Sequence, residues 1–266
     1  MSNIVYARSG RQWDYLYMKS LGLDFIDSFN YKDFFEEEIP KIFDRKDIIN
    51  ELLNYDLNNP QINDNTSDTI VDFIKNVIAV VKSNQNEEST VDDLGKKLFN
   101  IVGFNRNMKL NIHGPTKMKY LMSGQTIEAN PDIVVQNDNN KYFLIIQEDK
   151  SYKNTEDNNY DEAEPQLVAE LIGAFYNNYG KSRGMLNSQI LYGIVMLGTH
   201  CTFYKFNINS NILERLVNGE KCNAIINHIE RFSIGDKDPN FILNQNNLIY
   251  TLKCYESLKH IIFKSL

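Results

Sequence analysis

The chain is 266 residues long, 42% hydrophobic and 24% charged, with a formal net charge of −7. That length accommodates one large domain or a catalytic domain with helical extensions, and the acidic balance argues against a protein that coats nucleic acid through a positive surface. No apolar stretch approaches the length of a membrane span, and the start, MSNIVYARSGRQWDYLYMK, lacks an apolar segment ahead of a cleavage site. An intracellular protein, cytoplasmic or nuclear, with no membrane partner is therefore expected. Three widely spaced cysteines, Cys201, Cys222 and Cys254, fit a reducing compartment, since they make neither a paired framework nor a metal knuckle.

Residues 1–85 read as a helical N-terminal region. LYMKSLGLDFI, KDFFEEEIPKIFDRKDIINELL and SDTIVDFIKNVIAVVK carry apolar residues at three- and four-residue spacing, punctuated by Pro40 and Pro60. The polar stretch SNQNEEST, residues 83–90, reads as a boundary loop. VDDLGKKLFNIVGF then reads as a helix capped by Thr90, with Asp92 and Asp93 in its first turn, where acids complement the helix dipole as readily as they serve a site.

MKLNIHG, KMKYLMSG, EANPDIVVQN and KYFLIIQEDK follow as an antiparallel meander, the last two joined by an NDNN turn. Side-chain alternation along the last of them puts Tyr142, Leu144, Ile146, Glu148 and Lys150 on one face and Phe143, Ile145, Gln147 and Asp149 on the other. The unbroken apolar run before Glu148 predicts a strand covered on both faces, with a carboxylate emerging at the rim of the core. Asp132 also stands in Asn-Pro-Asp, which is good turn chemistry in its own right. SYKNTEDNNYDEAE reads as an acidic surface loop, and EPQLVAELIGAFYNNYG as a helix from Pro165 to Gly180 whose core stripe is Leu167, Val168, Leu171, Ile172, Ala174 and Phe175. Gln166 and Glu170, four apart, look together toward another side. QILYGIVMLGTHCTFYKFN predicts two strands about a Gly-Thr turn, and residues 211–266 predict helices packed outside the sheet.

Pro131-Asp132 and Glu148-Asp149-Lys150, with fifteen residues between Asp132 and Glu148, resemble the two halves of the PD-(D/E)XK nuclease superfamily. The resemblance covers roughly residues 90–207. It implies an α/β fold with a restriction-endonuclease-like core of mixed β-sheet flanked by helices, over residues 86–210, between helical terminal regions. It implies a divalent-metal-dependent nuclease using Mg²⁺ or Mn²⁺, with Asp132 and Glu148 as ligands and Asp149 completing the shell through its backbone carbonyl. Lys150 would steady the developing charge, and Gln166 would orient the lysine or the scissile phosphate. The expected partner is nucleic acid, DNA ahead of RNA, and the fold is compatible with a homodimer. Two other readings stand beside this one: a binding module that keeps the fold without turnover, and an effector-like nuclease, since QEDKSYKN followed by EPQLVAELIGAFYNN resembles the nuclease-type Crinkler proteins. Arg106 with Lys109, Lys117 with Lys119, and Lys181 with Arg183 offer local positive surface. No histidine has metal-ligand spacing, and phosphate-binding loop and serine-nucleophile motifs are absent.

Overall fold

The computed structural model describes residues 6–82, 88–106, 109–139, 141–151, 160–222, 228–236, 238 and 240–266. Among these, the strands are β1 (Asp24–Asp27), β2 (Leu110–His113), β3 (Met118–Met122), β4 (Gln125–Ala129), β5 (Ile133–Asn137), β6 (Phe143–Lys150), β7 (Ser188–Leu197), β8 (His200–Asn209) and β9 (His228–Ser233). The helices are α1 (Tyr15–Ser20), α2 (Tyr31–Phe35), α3 (Lys46–Leu52), α4 (Asp68–Lys82), α5 (Glu88–Val102), α6 (Tyr160–Lys181), α7 (Ser210–Val217) and α8 (Gln245–Lys264). The protein is α/β. Its central sheet is mixed, in the order β1-β9-β8-β7-β6-β5-β2, while β3 and β4 form a separate hairpin.

β6 and β7 are parallel and buried almost throughout, which explains their continuous apolar reading. β8 returns antiparallel from β7 through Gly198-Thr199, where Gly198 takes the positive φ the tight turn requires. One face of the sheet carries α2, α3, α4, α5 and α8 over Ile133, Val135, Ile145, Ile194 and Phe203. The other carries α1, α6, α7 and the hairpin over Val134, Ile146, Val195 and Tyr204. Leu167, Leu171 and Phe175 of α6 are fully buried against that second face, each contributing roughly 1.5–3 kcal/mol of burial. α6 sits close because β7 offers Gly193 there, where a Cβ would lie 2.8 Å from Leu167 Cδ2.

Several local expectations are corrected. LYMKSLGLDFI is not one helix: Gly22 at positive φ ends α1, and Asp24–Asp27 pair in parallel with β9 at the sheet edge. His228–Ser233 is likewise a strand inside the C-terminal stretch that read as helical. Both are short, partly exposed strands, β1 at the sheet edge and β9 between β1 and β8, and their alternation is too brief to outweigh neighbouring helical spacing. The meander is interrupted, since β2 pairs directly with β5 and the hairpin stands aside. Thr90 lies within α5 rather than capping it, and α6 begins before Pro165. A proline this close to the start removes one intrahelical bond. The face assignment on β6 holds from Ile145 onward and inverts before it. The β5–β6 register skips Leu144, so Leu144 packs with Ile145 while Phe143 joins Ile146. Residues 83–87 of the expected boundary loop and 152–159 of the expected acidic loop lie outside the described residues.

Candidate active site

Asp132 immediately precedes β5, and the pairing Ile133↔Gln147 sets it beside Glu148 near the end of β6. The link is direct: the Asp149 backbone N–H donates to Asp132 Oδ2 at 2.8 Å. Because β6 alternates, Glu148 and Asp149 leave the strand on opposite faces, and the two flanking helices bring their own acids to meet them. On the α5 side, carboxylate oxygens of Asp92, Asp132 and Asp149 lie within 4.8 Å of one another. On the α6 side, Glu170 is fully buried and close enough to Glu148 and Asp132 for their charges to raise its pKa. Asp132 is thus the hinge between two acidic groups.

Each helix is held at the required distance. A Cβ on Gly95 would fall 2.3 Å from Gln147 Nε2 and 2.9 Å from Ile133 Cδ1, so α5 crosses the sheet where only glycine fits. One turn earlier on that helix stands Asp92. Asp149 Oδ1 accepts from Gln147 Nε2 at 2.8 Å, and Gln147 Oε1 accepts from Tyr255 of α8 at 3.2 Å. A side chain from the C-terminal helix therefore fixes an acid of the site.

The electrostatics are strained. Burial first, then Asp132, pushes Glu148 up to about 8, against the pull of Lys150. Burial, with Asp132, pushes Asp92 up to about 6. Asp149 and Glu170 are raised well above the ordinary carboxylate range, again by burial and neighbouring acids, and Asp132 is raised mainly by burial. Lys150 is the cation at hand. Its ammonium pairs with Glu148 Oε1 and stands 3.7 Å from Glu88 Oε1. Burial alone would lower its pKa, but Glu148, Glu88 and Asp132 carry it above its ordinary value, so it stays charged. One ammonium does not satisfy this set: Asp92 Oδ1, Glu148 Oε2, Asp149 Oδ2 and Glu170 Oε2 are buried with no hydrogen-bond partner among the described residues. Such orphaned anionic oxygens cost several kcal/mol each unless protonated or matched by positive charge. An all-oxygen, carboxylate donor set fits a hard divalent cation, whose charge would draw the protons off these acids. The contrast is Asp44, Glu256 and His260, a second group with ligand spacing, where Lys259 Nζ reaches Asp44 at 2.8 Å and Glu256 at 3.0 Å and neutralises it as an ion-pair network.

Gln166 is 8% exposed, and its Nε2 donates to Glu170 Oε1 at 3.3 Å. It therefore faces the carboxylates through Glu170 and has no direct bond to Lys150. Asp149 offers its side-chain carboxylate to the group, where the resemblance implied its backbone carbonyl. Asp93 points away, 3.7 Å from Lys96, and His113 is exposed at the end of β2. Of the basic pairs, Lys117 and Lys119 both lie against Glu128, and Lys181 covers the Phe143 ring. Sequence reasoning missed Glu170, Gln147 and Glu88 as parts of the site. The signal for Glu170 was its place four residues after Gln166; Gln147 and Glu88 carried none, since their roles arise from packing across elements. No protein-family model matches the chain, and no curated protein matches it.

Proposed function

We propose that the protein is a divalent-metal-dependent nuclease that hydrolyses nucleic-acid phosphodiester bonds, of the PD-(D/E)XK kind, using Mg²⁺ or Mn²⁺. The observation that carries this reading is the group of buried carboxylates around Asp132, four of whose oxygens have no hydrogen-bond partner among the described residues, beside the retained ammonium of Lys150. Bound there, a divalent cation supplies a Lewis acid that lowers the pKa of a ligated water and neutralises phosphate charge. Asp132, Asp92 and Asp149 are the residues suited to hold it on the α5 side, and Glu148 extends the set toward α6. Lys150, kept protonated by its acidic neighbours, donates toward charge that develops on the phosphoryl oxygens, where a fixed donor is most effective. Glu170, held by Gln166 and kept protonated by burial, serves as a proton-bearing partner for the Glu148 carboxylate. The net charge of −7 favours one rival, a module that binds cation and partner without turnover.

The deciding experiment incubates purified protein with end-labelled DNA and RNA in Mg²⁺, Mn²⁺ and chelator. Cleavage with either metal and none with chelator supports the nuclease. Cation binding without cleavage of any nucleic acid supports the rival.

A further inference from the structure

A second cleft opens on the same sheet face and at the same end as Glu148. Register carries the line across the sheet: Glu148 pairs with Val195, Val195 with Thr202, and Thr202 with Ser233. Thr202 therefore stands two strand spacings from Glu148, roughly 10 Å. Between these strands and the first turns of α6 lies a cavity of about 450 Å³, lined by Phe29, Glu164, Thr202, Arg231 and Ser233 among others. We infer that this cleft holds one unstacked nucleobase of the substrate strand close to the scissile phosphate, and so selects single-stranded or frayed nucleic acid. The inference rests on the nuclease reading and specifies its substrate.

Charge excludes a phosphate there. Arg231 is already matched, by Asp27 Oδ1 at 2.6 Å and by both Glu164 oxygens at 3.1 and 3.2 Å, and Asp236 adds a further acid to the wall. What the cleft offers is neutral hydrogen bonding and a flat apolar surface. Thr202 is 2% exposed and its Oγ1 has no partner among the described residues. Ser233 Oγ makes only long contacts, 3.4 Å to the Gly235 carbonyl and 3.5 Å to His200 Nε2. Phe29 is 93% exposed at the rim, an aromatic face left in water. An aromatic platform, the Thr202 hydroxyl with no partner among the described residues, the loosely held Ser233 hydroxyl and a pinned guanidinium match the face and edge of a nucleobase, and stacking of this kind is open only to a base that is out of a duplex. The volume is within the range of ligand pockets and admits a base.

The test uses the full chain carrying Lys150→Ala, so that strands are bound and not cut, with a fluorescein-labelled single-stranded oligonucleotide and a blunt duplex of the same sequence, read by anisotropy in Mg²⁺. Adding Phe29→Ala is expected to weaken single-strand binding roughly tenfold or more and to leave duplex binding unchanged, while Phe29→Tyr restores it. Phe29 is almost wholly exposed, so its replacement spares the fold. Equal single-strand affinity with and without the Phe29 ring, or equal loss for both ligands, overturns the base cleft while cleavage by the unmutated protein still upholds the nuclease. If the unmutated protein neither binds nor cuts any nucleic acid, the nuclease reading falls and the cleft with it.

Discussion

Asp132 and Lys150 feel each other's charge and are expected to fail differently when removed. Lys150→Ala takes away an ammonium that ligates nothing, so Mg²⁺ affinity by calorimetry should hold or tighten, because the deleted charge repelled the cation. Turnover should fall on the order of a hundredfold or more, as it does when one transition-state donor is lost. Asp132→Ala removes the oxygen that joins both acidic groups, and both Mg²⁺ binding and cleavage should vanish. Identical nucleic-acid binding in both variants, with no cleavage by the parent, would favour the binding module. Proton linkage gives an independent readout at the same scale. Asp92 near 6 and Glu148 near 8 must release protons to accept a cation, so Mg²⁺ affinity should rise with pH between about 6 and 8. Calorimetry in buffers of different ionisation enthalpy should detect protons released on binding. A flat affinity across that range would mean that neither acid meets the ion.

Two glycines decide how closely α5 and α6 approach the sheet, and through them where the acids lie. At Gly95 an added methyl meets Gln147 and Ile133 closer than atoms tolerate. Gly95→Ala should therefore cost roughly 1–3 kcal/mol in urea unfolding, as overpacking does, and should weaken Mg²⁺ binding because Asp92 is displaced from Asp149. Lost cation affinity with unchanged stability would show that α5 tilts freely. α8 acts from further along the chain, since Tyr255 holds Gln147, which holds Asp149. The site thus depends on elements that contribute no ligand.

For the whole molecule, the buried acids set stability against function. A carboxylate whose folded pKa is raised binds its proton more tightly in the folded state, so its contribution is present at low pH and lost as pH rises from its unfolded value through its folded one. For Asp92 and Glu148 that window runs from about 4 to about 8. In chelator, the thermal midpoint should fall over that range; a midpoint that rises steadily to pH 8 would contradict the buried cluster. Mg²⁺ should restore stability most at the alkaline end, by about 2.7 kcal/mol when present at a hundred times its dissociation constant. Among the described residues no helix is long and apolar enough to cross a membrane.

The amino-acid order by itself determined the strands and helices with strong periodicity: β5 to β8 around their acids and turn, the core of α4 and most of α5, and the buried stripe of α6. Burial periodicity is local, so a dozen residues suffice to show it. It also brought Asp132, Glu148 and Lys150 forward as a candidate set through their resemblance to a nuclease motif, with strand alternation setting Glu148 and Lys150 on one face. Tertiary structure alone decided which residues join them. Glu170 enters because Gly193 lets α6 lie close, Asp92 because Gly95 does the same for α5, and the Asp149 carboxylate because a helix from the far end of the chain holds Gln147. The strands β1 and β9 belong to this second class, as β1 is held at the sheet edge by β9 across some two hundred residues of chain, and β9 lies between β1 and β8. Contacts of that span leave no periodic trace in either partner, and only the folded chain brings the two together.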